Sequence, residues 1–340
     1  MAAASEEILK PKRGALFKLL IRIAIGVAVV LVLILRIPHK DRIELGHALR
    51  TASLPWVIGA AVALFIGIAV SALRWRAYLD ALEIYMPFPT VLRLYFVGTF
   101  FNAFLPSGIG GDGYKAVRVG RARGGIPQAV ASVFLDRFAG FIGLSGLGLL
   151  GALITLALRQ HHLQIAAIAA VLSAGMIGGA LILLIWGERL LGRGRVIKEH
   201  GIGGKLREAV RAIHEAGRHP QAAARGYLYG LLFQLLVLTY HLCAARALHI
   251  TQVSVFQMTG VVVIISLATL IPLSPGGLGF RETAYVWVLG TLGVSKHPDL
   301  RLAFALLILV VLLLTSAVGG LVYVIAGGDV PVDAEEAPVD

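Results

Sequence analysis

Cysteine is nearly missing from this sequence, and charge is scarce. The single thiol, Cys243, excludes a disulfide framework or a thiolate metal site built from this chain alone, and its place within an apolar run assigns it to packing. Only 15% of the 340 residues are charged, while 58% are hydrophobic and the mean hydropathy is +0.83. The hydrophobic residues gather into several uninterrupted runs of about 17 to 25, and roughly 20 apolar residues in a helix cross the hydrocarbon core. The chain therefore reads as an all-α polytopic membrane protein. Acidic residues are the scarcer sign, 19 against 31 Lys and Arg. In a soluble protein the net charge of +12 would suggest nucleic acid. Here the bases flank apolar spans, where they orient the chain, and aromatic interleaving is absent, so no nucleic-acid partner is expected.

Hydropathy and loop charge thread the chain as about six full spans plus two opposed re-entrant helical hairpins. Residues 1–18 form a basic cytoplasmic N-terminus, 19–158 a first membrane repeat, 163–326 a second, and 327–340 a disordered acidic tail. The run at 19–35 is a retained span, because no small-residue cleavage site follows it, and Arg22 snorkels to the headgroups. Residues 36–54 carry a short interfacial helix ending near Pro55. The second span, 56–73, closes on Arg74-Trp75-Arg76, an aromatic and basic group suited to the interface.

The next apolar run, 91–105, follows Pro87 and Pro89 and is too short to cross comfortably. A full crossing would also place Lys115, Arg118, Arg121 and Arg123 outside, against the positive-inside tendency. A hairpin over 91–123 that turns at 106–113 and returns to the cytoplasm removes both objections, provided protein or a water-filled cavity satisfies its backbone. Residues 126–158 form a long span whose glycines, Gly140, Gly143, Gly146, Gly148 and Gly151, allow close helix contact.

The second repeat runs through a span at 163–186, a basic loop at 187–225 with an amphipathic segment, a span at 227–248, a hairpin at 253–293, and a last span at 300–326. Of the 31 Lys and Arg, 20 fall on the side assigned to the cytoplasm, eight outside and three (Arg22, Arg137, Arg281) within the membrane. Each repeat then contains span, span, hairpin, span, and the two hairpins enter from opposite faces. Glycine-proline interruptions at corresponding places in two halves point to a transporter's midplane site.

The first tip carries Pro106, Ser107, Gly108, Gly110, Gly111 and Gly113; the second carries Pro272, Ser274, Pro275, Gly276, Gly277 and Gly279. Ionisable residues cluster near both. Intramembrane charges are costly, so they pair or face an aqueous pathway. Asp112, Asp136 and Glu282 are expected to hold cations in place or carry protons, with Arg137 and Arg281 as the candidate partners of Asp112 and the choice between them open. Headgroup contacts are expected from Arg137, Arg281, Asn102, Ser107, Ser274, Lys115 and Arg118. A guanidinium fork suits phosphate, and half-helix N-termini add backbone donors. The alternative is that these charges only neutralise one another.

Residues 108–113 also satisfy a GxGxxG pattern, but a dinucleotide site needs a preceding strand, and Pro106 after a membrane helix is no strand. The pair His161-His162 and the loop histidines His200, His214 and His219 lack ligand spacing. No cofactor or metal is expected.

Three separated segments, residues 102–121 (NAFLPSGIGGDGYKAVRVGR), 132–137 (SVFLDR) and 272–282 (PLSPGGLGFRE), resemble the transmembrane region of lysylphosphatidylglycerol synthases and their stand-alone flippase-like relatives. The resemblance covers about residues 15–326 and implies lipid translocation. In the synthases this region flips aminoacylated phosphatidylglycerol to the outer leaflet; stand-alone relatives are associated with hopanoids and polyprenyl-linked sugars. The sequence stops at residue 340 without the aminoacyl-transfer domain, so lysyl-lipid synthesis is not expected.

The resulting expectation is a lipid flippase or transporter of the bacterial inner membrane, multi-pass, with both termini cytoplasmic. It would move a phospholipid, polyprenyl-phosphate-linked or hopanoid-type lipid. Membrane lipids are the expected partners; lipid-synthesis enzymes and a second copy of the chain are open as others. Two alternatives remain beside it. One is an intramembrane lipid-modifying enzyme with Asp112 and Asp136 as acid and base, although no activated nucleophile is evident. The other is a non-transporting subunit of a lipid-synthesis complex.

Overall fold

The computed structural model describes residues 39–104, 110–122, 125–158, 163–192, 220–269, 278–294, 298–327 and 330–332. Several expectations lie outside them: the first span with Arg22, Pro106, Ser107, Gly108, Arg123, His161, His162, the amphipathic loop segment with its three histidines, Pro272, Ser274, Pro275, Gly276 and Gly277. The described residues form ten helices, in chain order α1 (His39–Arg50), α2 (Leu54–Ala81), α3 (Phe88–Phe104), α4 (Gly110–Ala122), α5 (Ile126–Ala157), α6 (Leu163–Gly192), α7 (Pro220–Ala247), α8 (Val255–Ala268), α9 (Phe280–Thr291) and α10 (Pro298–Ile325).

Among the described residues, five helices are long and apolar enough to cross a bilayer: α2, α5, α7, α10 and residues Leu163–Ile182 of α6. These are the five expected spans that fall within the described residues. Their outer faces keep large apolar side chains exposed, such as Ile58, Val62 and Ile66 on α2 and Val310, Leu314 and Leu321 on α10. That pattern suits lipid as solvent. Proline sits where it costs least, at the first turns of α2 and α5, because the first N–H groups of a helix have no intrahelical partner. Likewise Pro89 does not break the chain before the short apolar run; it enters the first turn of α3.

The order of lengths repeats. A long helix (α2), two short ones (α3, α4) and a long one (α5) are matched by α7, the pair α8 and α9, and α10. At 1.5 Å per residue, α3 spans about 25 Å and α4, α8 and α9 less, short of the roughly 30 Å hydrocarbon core.

Helix association inside lipid relies on close packing rather than hydrophobic burial, and small residues supply it. The α5 glycines do what their spacing predicts. A Cβ on Gly143 would stand 2.7 Å from the backbone of Gly230 on α7, and one on Gly151 would meet Thr259 of α8. The larger apolar core joins α2, α5, α6, α7, α8, α9 and α10. A second core gathers Trp75, Leu79, Val91, Leu94, Val97, Val119 and Val133 from α2 to α5.

Two expectations need correction. Trp75 is no interfacial anchor: it is fully buried in the second core, and its indole N–H donates to Ser132 Oγ at 3.0 Å. The helix simply continues past residue 73, so the aromatic and basic group is carried into the bundle. The tail is also not disordered throughout. Val330 is buried in the second core; its N–H lies 3.4 Å from the Tyr114 hydroxyl, and its carbonyl accepts from Arg118 Nη2. Apolar contact with α4 gives this short segment a place to stop.

Candidate functional site

The charge cluster begins with helical spacing. Asp112 and Lys115 lie three residues apart on α4 and share a face, with Lys115 Nζ 3.1 Å from Asp112 Oδ1. Asp112 occupies the first turn of α4, where the helix dipole favours an anion. The approach of α4 to α3 is very close: a Cβ on Gly111 would stand 1.8 Å from the Gly98 carbonyl oxygen, so only glycine fits. The Gly111 N–H donates to Asn102 Oδ1 at 2.8 Å. Thus Gly111 answers to α3, and the side-chain oxygen of Asn102 is committed to holding the start of α4.

On α5, Asp136 and Arg137 are adjacent, so their side chains leave in different directions. Asp136 is fully buried. It accepts from Arg74 Nε at 2.7 Å and from the Tyr95 hydroxyl at 3.0 Å, while Lys115 Nζ lies 3.8 Å away. Arg137 turns to the other carboxylate, donating from Nε to Asp112 Oδ2 at 2.7 Å. The Lys115 ammonium also lies over two aromatic faces, 4.2 Å from the Tyr95 centroid and 4.9 Å from that of Trp75, which offsets part of its burial cost.

In the second half, Glu282 stands third in α9, as Asp112 does in α4. Its Oε2 accepts from the Gly279 N–H at 2.6 Å and its Oε1 from Arg281 Nη2 at 2.8 Å. Gly279 adopts φ +80, a conformation that favours glycine, and so opens the helix. Arg281 therefore pairs with its own neighbour, and of the two candidate partners Asp112 takes Arg137. Next to it, His241 of α7 bonds the Val237 carbonyl through Nδ1 and the Tyr285 hydroxyl through Nε2, both at 2.7 Å. A carbonyl only accepts, so Nδ1 carries a proton, and in the neutral ring Nε2 accepts from Tyr285.

Both clusters meet one cavity of about 530 Å³, lined from the first half by Tyr95, Asn102, Lys115 and Arg137 and from the second by Tyr240, His241, Arg281 and Tyr285. Apolar residues such as Leu64, Ile68, Phe233, Val262 and Leu312 complete the wall. Lys115, Arg137 and Arg281 face the space, while Asp112, Asp136 and Glu282 stand behind them outside the lining. The Arg137 side chain is 44% exposed against 9% for its partner Asp112, so its guanidinium reaches out over the space.

The sequence matches the family described as the lysylphosphatidylglycerol synthase TM region over residues 20–320. The chain belongs to this family. It is also similar to a UPF0104 membrane protein of Methanothermobacter thermautotrophicus, with 27% identity over 297 residues, covering 81% of this chain and 86% of that protein. Membership in the lysylphosphatidylglycerol synthase TM family agrees with the helical membrane architecture and the three sequence segments that suggested it.

Of the residues expected at the site, Arg137, Arg281, Lys115 and Asn102 line the cavity; Arg118 does not, and instead donates to Val330. Gly110 opens α4, and Gly113 faces outward from it. Sequence reasoning missed Arg74, Tyr95, His241 and Tyr285. Two signals were available. A carboxylate as deep as Asp136 must have partners, and a histidine inside an apolar run is a candidate site residue by the same rule that selected Asp136.

Proposed function

We propose that this protein is a lipid flippase or transporter of the bacterial inner membrane, carrying a polar-headed lipid through the cavity between its halves while the acyl or prenyl chains stay in lipid. The observation that carries this is the cavity itself: an apolar-walled space bounded by both halves, with three cations on its surface and their carboxylates behind. The guanidinium groups that line the space can donate to a phosphate, and the apolar wall beside them leaves the headgroup as the polar part the cavity holds.

An inverted repeat with re-entrant hairpins would supply alternating access. Helix contacts support it. Exchanging α2 with α7, α3 with α8, α4 with α9 and α5 with α10 maps neighbours onto neighbours: α3 against α10 onto α8 against α5, and α4 against α5 onto α9 against α10. Each short pair is also too short to cross helix by helix. Rocking of the halves about this centre would open the site to each leaflet in turn. The enzymatic alternative gains nothing from the geometry, because the carboxylates it would use as acid and base are held by Arg74, Tyr95, Lys115 and Arg137.

The deciding test is a leaflet assay in proteoliposomes over a panel of labelled lipids. Transport predicts headgroup exchange faster than in protein-free vesicles; equal rates across the panel overturn the flippase, and altered headgroups favour an enzyme. The lone buried thiol allows a cysteine-free background. In it, single cysteines at 106–113 should label from the cytoplasm and resist labelling from the periplasm. Labelling only from the periplasm removes the hairpin and the repeat.

A further inference from the structure

Donors and acceptors at the cavity do not balance. Each carboxylate oxygen already faces a donor or a cation, although Asp112 Oδ1 makes no hydrogen bond. Asp112 Oδ1 makes an ion contact with Lys115, and Oδ2 takes Arg137 Nε; Asp136 Oδ1 takes Arg74 and Oδ2 takes Tyr95; Glu282 Oε1 takes Arg281 and Oε2 the Gly279 N–H. The cations are not used up. Among the described residues, both Nη groups of Arg137 and Nη1 of Arg281 have no partner, and both side chains line the cavity. Behind the wall, Arg74 Nη1 is buried with no hydrogen bond.

Charge tells the same story. Arg74, Lys115, Arg137 and Arg281 outnumber Asp112, Asp136 and Glu282 by one. The two tip segments, 105–109 and 270–277, contain no ionisable side chain that could cancel it. A surplus charge at membrane depth is costly, and a ligand that brings one negative charge and only acceptors removes the cost.

We infer that the cavity selects a singly charged phosphate ester, held between Arg137 of one half and Arg281 of the other, and discriminates against net-cationic aminoacylated lipids and zwitterions. This rests on the cavity being the lipid site. A cationic headgroup would add a second surplus charge, and the carboxylate oxygen without a hydrogen bond, Asp112 Oδ1, is buried with the Lys115 ammonium already 3.1 Å away. A dianion would overshoot neutrality by one charge. Because the two arginines belong to different halves, a bound phosphate also ties the halves together.

Equilibrium binding in detergent tests the selectivity apart from transport. The ligands are dioctanoyl forms of phosphatidylglycerol, phosphatidylethanolamine, lysyl-phosphatidylglycerol and, at high pH, doubly ionised phosphatidic acid, with water-soluble glycerophosphoglycerol as the free ester. Phosphatidylglycerol is expected to bind about tenfold or more tightly than the zwitterion or the cation, and more tightly than the dianion. Glycerophosphoglycerol binding as well as the lipid would move the site from lipid to a soluble ester. Arg137→Gln should erase most of the preference for phosphatidylglycerol over phosphatidylethanolamine, and Arg137→Lys should restore part of it. Equal or tighter binding of the cation or zwitterion, binding of no ligand, or an unchanged preference in Arg137→Gln overturns the proposal. If the preference appears while no lipid moves in proteoliposomes, the transport function fails and the selectivity stands.

Discussion

In the first half, Asp112 and Asp136 sit among cations drawn from three helices, Arg74 of α2, Lys115 of α4 and Arg137 of α5. In the second, Glu282 is served by its own sequence neighbour and by the backbone at the start of the same helix. The first arrangement is a tertiary network in which each cation has a role in holding helices together. The second is local, made within the opening turn of α9. A shared network lets one member be spared, because its partner keeps another counter-charge; a local pair has no substitute. The halves should therefore respond differently to the loss of a single charge.

Removing the centre of the network should have the largest effect. Asp136→Ala strands Arg74 and brings Lys115 down to one carboxylate, and breaking a buried pair from one side costs about 3 to 5 kcal/mol. Thermal unfolding in detergent should show it; a midpoint unchanged from the parent would dissolve the network. Next come the two arginines that face the cavity. Arg281→Gln leaves the buried Glu282 with no other charged partner among the described residues and should cost about 1 to 3 kcal/mol. Arg137→Gln should cost less than about 1 kcal/mol, since Asp112 keeps Lys115 and the lost group is partly exposed. Both should lower transport, so stability and transport should separate at Arg137 and fall together at Arg281. Equal stability losses would erase the contrast between the halves. The smallest effect is expected from Tyr285→Phe, which removes the hydroxyl bonded to His241 and should cost about 1 kcal/mol in the same assay.

How much of this could be read beforehand differs by residue. The five described spans were legible because lipid selects long apolar runs whatever their neighbours. The pairing of Asp112 with Lys115 was legible in principle from three-residue spacing, and the left-handed backbone at Gly279 from a glycine placed at the start of a helix. Arg74 was not: the first residue past the end of an apolar run, it looked like a surface anchor. Only the packing of α2 against α5, which brings positions 62 apart into contact, makes it the partner of Asp136. His241 was overlooked for the opposite reason, since a ring in an apolar run has no visible partner until α9 places Tyr285 beside it.

The sequence alone determined that this chain lives in a membrane, where its described spans lie and which charges are too deep to be ignored. Those properties follow from composition and periodicity along one segment at a time. Tertiary structure alone decided which cations face the cavity and which carboxylates stand behind them. The physical reason is lateral: helices in lipid associate by the fit of small residues such as Gly98 with Gly111 and Gly143 with Gly230, and that fit sets the rotation of each helix and so the side on which its charges emerge.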